Sequence, residues 1–404
     1  MRRLIITGLL LIFLLSGSCT PGRDFNDHLS SIVKSYLFNF AGWESRAIAE
    51  GINQWLFGKH EKIDGEIGVV TEYFSSTERI EAIKLKIEAA NAVSRESDLA
   101  SLEAELNELE KQKAALKETV ERIIEKQIRN ILTEQGIFNP IVGAKVSFPP
   151  VNFKLEKPPY LLVISPRDRI ESISETVLKP SLDLEEMEDI EAKVDELGVS
   201  SLVVGLGGLG LTYPTFVTDD ASLEFTLHTI TEEWLHQYLV FKPLGFLYLL
   251  DLSGLARNYE ISTMNETVAG MVSKEIGSMV NEKYYSEYEN GTNQDQVSES
   301  EFDFASEMRE IRKTVDTYLT RREIEQAEEF MEQKRRYLVS KGYHIRKLNQ
   351  AYFAFHGTYA DKPAFISPIG IELKELRDKS ASLKDFLNTV AAMISRQDLR
   401  ESIK

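Results

Sequence analysis

The chain has 404 residues, 43% of them hydrophobic, enough to bury the cores of two or three domains. Its net charge of −17 argues against nucleic acid as a partner, because that binding is driven by lysine and arginine neutralising phosphate. With Cys19 as its one cysteine, it has no intrachain disulfide.

In chain order, the first segment reads as a targeting signal: Met1-Arg2-Arg3 is charged, residues 4–15 are apolar, Ser16-Gly17-Ser18 is small, and Cys19 follows. The apolar run is too short for a bilayer of about 30 Å, which needs about twenty residues. A lone cysteine after such a run looks like a bacterial lipoprotein cleavage site, although Ser16 stands where leucine is usual. An uncleaved anchor or an ordinary cleaved signal is the alternative. Residues 1–19 are therefore expected to place the protein in the cell envelope, lipid-anchored to the membrane through Cys19 and facing away from the cytoplasm.

Residues 20–140 are expected to form a helical N-terminal region. Residues 24–58 carry two aromatic-rich helical patterns, and residues 71–135 form a long helical stretch. Within it Leu99, Leu102, Leu106, Leu109, Leu116, Val120 and Ile123 keep a three-four spacing, interrupted by Lys113. That is a coiled-coil seam. With Ile80, Ile83 and Ile87 upstream and a polar break at 94–97, an antiparallel hairpin explains it better than a dimer, which stays open. Asn139-Pro140 is expected to end the stretch.

The core of interest is expected over residues 141–290. Residues 144–153 and 160–165 are strand-like, and residues 182–197 form an acidic amphipathic helix. The glycine-rich run 200–217 lacks both a GxGxxG-to-helix pattern and a Walker lysine, which argues against nucleotide. It reads instead as a strand that another backbone approaches closely. Asp219-Asp220 is expected to cap a helix over 221–240.

That helix carries Glu232-Glu233-Trp234-Leu235-His236, and Asn265-Glu266-Thr267-Val268-Ala269 follows on a second helix, expected over 264–284. Residues 232 and 236 sit about 6 Å apart along one helix face, close enough to share an ion. The second helix has one apolar stripe through Met264, Val268, Met271, Val272, Met279 and Val280. A stripe of Glu266, Gly270, Ser273 and Gly277, with Ala269 beside it, would allow the first helix to approach closely. A glycine within a helix costs about 1 kcal/mol and needs such a reason. His228 could pair with Glu232, although a buried histidine bonded to a carboxylate is the commoner meaning of that spacing. Residues 291–301 read as a loop, and residues 300–404 as a helical C-terminal region that opens with one long charged helix over 307–340. Asn349, Tyr352, His356 and Tyr359 then share one polar-aromatic helix face. A Tyr or His there is a candidate donor to a developing oxyanion; rim packing of the aromatics explains the face equally well.

The pair EExxH and NExxA resembles the gluzincin metallopeptidases, of thermolysin and aminopeptidase type, in which HExxH is followed by a helix carrying NExxA, NExxS or NExxD. The resemblance covers residues 200–285. A looser one, over Leu348-Asn349-Gln350-Ala351-Tyr352, Tyr359 and Pro363-Ala364-Phe365, is to putative bacterial lipoprotein aminopeptidases. These resemblances imply His236 and Glu266 as metal ligands, Glu232 in the place of the first histidine, Glu233 as general base, zinc or another divalent ion as cofactor, and a peptide as substrate. By the same resemblance run 200–217 supplies an edge strand on which an extended substrate lies.

A Glu/His/Glu set carries more charge and harder donors than His/His/Glu, which implies weaker zinc binding and weaker polarisation of water. A working site with altered metal preference, a lapsed peptidase and a coincidence all fit. The expected fold is α+β and mainly helical, with a small sheet beside two metal-site helices and an N-terminal coiled-coil hairpin. The expected function is a membrane-anchored, aminopeptidase-like metallopeptidase acting outside the cytoplasm. The alternative is a catalytically lapsed envelope lipoprotein of the same fold that binds or scaffolds.

Overall fold

The computed structural model describes residues 23–39, 65–92, 96–141, 144–146, 149–209, 212–253, 255–289, 302–356 and 368–404. Among them are thirteen helices and three small sheets, so the fold is α+β and mainly helical. No described helix is long and apolar enough to cross a membrane. Residues 1–19, where the signal and Cys19 are expected, the second N-terminal helical pattern and Tyr359 lie outside the described residues.

After helix α1 (Arg23–Val33), helices α2 (Glu66–Ala92) and α3 (Glu96–Glu134) run antiparallel. Lys126 reaches Glu66 at 2.8 Å, and Arg79 faces Glu105 at 3.6 Å. Ile80, Ile83 and Leu109, with Ile87, Leu102 and Leu106 against them, form the seam. The heptad-like pattern is thus satisfied within the chain. Lys113 departs from it for a reason: its ammonium lies 5.1 Å above the Tyr73 ring and donates to the Asp219 carbonyl oxygen. Helix α3 stops at Glu134, ahead of a turn in which Gly136 has φ 67°, so Asn139-Pro140 belongs to a short strand and is not the terminator.

Strand-like run 144–153 is divided. Strand β2 (Ala144–Val146) pairs with β1 (Asn139–Ile141), whereas β3 (Phe153–Leu155) joins another sheet. Strand β4 (Tyr160–Pro166) sits between β5 (Ser174–Leu178) and β6 (Val199–Gly205), antiparallel to both. Side chains alternate across it. Leu162 and Ile164 face α1 and the acidic helix α4 (Leu184–Asp195), which Asp183 caps. Leu161 and Val163 face the opposite way. Glycine-rich run 200–217 is not one strand: after β6 the chain leaves this sheet and forms β7 (Gly208–Leu209) and β8 (Thr215–Val217), which make the order β3-β8-β7.

Strand β8 leads into helix α5 (Leu223–Leu239), which is followed by α6 (Pro243–Leu252) and α7 (Tyr259–Glu289). The N-cap of α5 is Ser222, whose Oγ accepts from the Phe225 N–H at 3.3 Å, and not the aspartate pair. Asp220 instead takes the Thr218 hydroxyl. The single long helix expected over 307–340 is two, α8 (Phe304–Thr320) and α9 (Ile324–Ser340). Arg322 adopts φ 62° between them, and the chain folds back so that Met308, Ile311 and Val315 meet Ala327, Met331 and Leu338. A short helix α10 (Gln350–His356) then covers β4 and β6.

Helices α11 (Ile369–Lys379), α12 (Leu383–Ala391) and α13 (Arg396–Ser402) return to the centre. The largest core joins them to α2, α3, β3, β8, α5 and α7. Its members come from all three of the expected segments, 20–140, 141–290 and 300–404.

The hairpin grips sheet β3-β8-β7 through two carboxylates of α3. Glu121 accepts from the Leu155 N–H and the Lys154 ammonium, both at 2.9 Å, and Glu125 accepts from the Phe153 N–H at 3.4 Å. Burial pushes the Glu125 carboxyl up to about 7, against the Phe153 N–H and Arg129, which lower it. The folded protein holds this proton more tightly than the unfolded chain, so the stabilisation present below about pH 4.5 is lost as pH rises through about 7. Glu125→Gln should therefore unfold at higher temperature than wild type at about pH 8 and at the same temperature near pH 4. Thermal unfolding followed at both pH values checks this, and an equal gain at both would refute it.

Candidate metal centre

Helix α5 is seated from two sides. Trp234 Nε1 donates to the Pro149 carbonyl at 2.7 Å, and Gln237 Nε2 donates to Thr212 O and Thr215 Oγ1, both at 2.9 Å. One turn back, Glu233 and Thr229 lie against β7, where a Cβ on Gly208 would come within 2.6 Å of Glu233 Oε1 and of Thr229 Cγ2. Only glycine lets the strand lie this close. The close approach expected of the glycine-rich run is therefore found at β7, against a helix.

The small-residue stripe of α7 has the expected use. A Cβ on Gly277 would lie 2.2 Å from His228 Cδ2, so the glycine admits the α5 imidazole. Ala269 and Ser273 are buried along the same contact. His228 Nε2 has no hydrogen-bond partner among the described residues, and burial lowers the pKa of the ring. His228 is not among the residues that could together hold a metal ion.

Glu232, His236 and Glu266 each offer one ligand atom, and these atoms lie within 4.8 Å of one another. His236 and Glu266 are 8% and 7% exposed, so the group sits inside the α5–α7 contact. His236 Nε2 is 3.5 Å from Glu266 Oε2, and His236 Nδ1 is 2.8 Å from Asn265 Oδ1. An amide oxygen accepts, so Nδ1 carries the proton and the Nε2 lone pair of a neutral ring is turned to the carboxylates. That is the tautomer a metal needs. Burial works to lower the His236 pKa, but Glu266, Glu233 and Glu232 outweigh it and hold it up to about 10. With two carboxylates and one imidazole, the donor set fits a divalent ion.

Helix α6 supplies a residue that sequence patterns did not single out. The Tyr248 hydroxyl donates to Glu266 Oε1, and its ring stacks on His236 with centroids 5.6 Å apart and planes at 25°. Run 243–252 is almost wholly apolar, so nothing in its spacing marks the tyrosine. Asn265 is the first letter of NExxA, but its bond to His236 needs the two helices side by side. Asp251 closes α6 onto α7 by accepting from the Asn258 N–H and from Ser262 Oγ.

Tyr352 and His356 lie on α10, with ring centroids 4.3 Å apart. Burial raises the Tyr352 hydroxyl to about 12. Tyr352 packs with Phe355, Leu161 and Leu202 over the sheet. Asn349 caps the helix through the Tyr352 N–H at 2.9 Å. The structure thus gathers Glu232, Glu233, His236 and Glu266, and places Tyr352 and His356 together on a different element.

No protein family, curated protein or solved structure matches this chain.

The register of α6 depends on one contact with backbone. A Cβ on Gly245 would lie 2.1 Å from both C and O of Leu239 at the end of α5. Gly245→Ala is expected to destabilise the protein by at least about 1–3 kcal/mol, the usual cost of overpacking. Chemical denaturation measures this, and an unchanged midpoint would show that α6 can shift.

Proposed function

We propose that the protein is a metal-dependent peptidase of the gluzincin type, held at the membrane through Cys19 and acting on peptides outside the cytoplasm. Glu232, His236 and Glu266 would hold the divalent ion, zinc being the first candidate. The observation that carries the reading is the convergence of these donors inside a helix contact, with His236 oriented by Asn265. When bound, such an ion supplies Lewis acidity. Glu233 is the base: it takes the proton of the attacking water, a role worth about 10² to 10⁴ in rate. An extended peptide adding to β7, at the end of its sheet, would pass alongside Glu233. Tyr352 and His356 remain the proposed donors to the developing oxyanion, and Tyr359 with them.

A second reading, a lapsed member of the same fold that binds or scaffolds, has one observation in its favour. His236, held up to about 10, is an imidazolium at neutral pH and compensates the carboxylates without any ion.

Metal analysis separates the two. On the peptidase reading the purified protein holds one divalent ion per chain, His236→Ala and Glu266→Ala lose it, and Glu232→His raises zinc affinity and hydrolysis of a peptide library. Glu233→Gln keeps the ion and the thermal stability and loses at least about 10²-fold in hydrolysis. A folded wild type that takes up no ion, or Glu233→Gln as active as wild type, refutes it.

The ion must also displace the His236 proton. Because that pKa is raised to about 10, affinity should increase roughly tenfold per pH unit between about pH 7 and 9, with one proton released. Calorimetric titration across that range reads both quantities. A pH-independent affinity would mean that binding displaces no His236 proton in this range, and the His236→Ala variant then decides whether the ring is a ligand.

A further inference from the structure

Within the metal reading, the two oxygens of Glu266 have different surroundings. Oε1 accepts the hydroxyl of Tyr248, and Oε2 is the oxygen that lies 3.5 Å from His236 Nε2. The phenol ring is itself held by stacking on the His236 imidazole at 5.6 Å. Its helix is pinned at both ends, by Gly245 against the Leu239 backbone and by Asp251 against the start of α7. The hydroxyl therefore has little freedom to leave the carboxylate.

We infer that Tyr248 is a positioning residue that makes Glu266 a one-oxygen ligand, by occupying Oε1 and presenting Oε2 to the ion. A carboxylate can grip a cation with one oxygen or with two. A phenol bonded to one of them favours the single-oxygen mode, and it also fixes the carboxylate rotamer. Hydrogen bonds of this outer kind are worth about 10- to 100-fold in metal affinity. Keeping Glu266 to one oxygen leaves a coordination position that water or a peptide carbonyl can take, as an open catalytic site requires. The inference rests on the metal reading of Glu232, His236 and Glu266, and adds to it the residue that sets how the third ligand binds.

The test uses cobalt(II) as the probe, added to the full chain. Four-coordinate cobalt absorbs strongly in the visible, and the band weakens as coordination number rises. Tyr248→Phe keeps the ring over His236 and removes the hydroxyl. It should bind cobalt about 10- to 100-fold more weakly and show a weaker band at saturation, as Glu266 turns both oxygens to the ion. Tyr238→Phe is the control, since that ring packs at a tilt against Trp234, with centroids 5.3 Å apart, and should leave affinity and band unchanged. A merely structural tyrosine would shift the melting temperature and not the band.

Should Tyr248→Phe fold poorly, 3-fluorotyrosine at position 248 gives a second measurement. Its fluorine resonance should move on cobalt saturation. A wild type that binds cobalt while Tyr248→Phe matches it in affinity and band, or a fluorine signal indifferent to bound cobalt, overturns this inference alone. A wild type that takes up no cobalt overturns the metal reading and this inference with it.

Discussion

Everything around the candidate centre is organised by the burial of charge where α5 crosses α7. An imidazole and a carboxylate, 8% and 7% exposed, lie side by side there. Taking such groups out of water costs several kcal/mol each unless they are paired and hydrogen-bonded. Asn265 and Tyr248 supply those bonds, one on the ring and one on the carboxylate. The helices can come close enough because the α7 face is small, with Gly277 admitting His228 and Ala269 buried one turn on from Glu266. A bulkier face would separate the helices, and the donors would no longer share one space.

The outlying elements make sense as supports for that crossing. The α2–α3 hairpin reaches the site through Lys113, bonded to the Asp219 carbonyl ahead of α5, and through Glu121 and Glu125, which take the free N–H groups of edge strand β3. Strand β7 covers Glu233 by virtue of Gly208. The C-terminal helices close the same core from the far side: Arg377 pairs with Glu275 of α7, and Arg396 with Glu260. Segments distant in sequence thus brace one helix pair.

Much of the site could be read beforehand because helical spacing is a local property. Glu232 and His236 share a face in any α-helix, and the stripe through Glu266 and Gly277 implies a close neighbour whichever helix that is. The hairpin seam was legible through its three-four spacing, and the buried central strand β4 as a short apolar run bounded by prolines. Reading failed where a local pattern had a competing continuation. The helical spacing of residues 307–340 runs through Arg322, yet the two halves bury more apolar surface by folding back on each other. Glycine-rich run 200–217 has strand composition throughout, but its strands belong to different sheets, a choice made by the partners and not by the run.

By itself, the sequence determined the helical character of the protein, the apolar seam of the N-terminal helices, and the Glu-Glu-x-x-His and Asn-Glu pairs that meet at the candidate centre. These follow from which residue types recur at which spacing, and spacing survives without knowledge of the rest of the chain. Only the tertiary structure decided that Glu266 faces His236 and not solvent, that Asn265 holds the ring, and that Tyr248, hidden in an almost wholly apolar helix, bonds Glu266. Each of these contacts joins separate helices, and no periodicity along one helix encodes the angle and distance at which another crosses it.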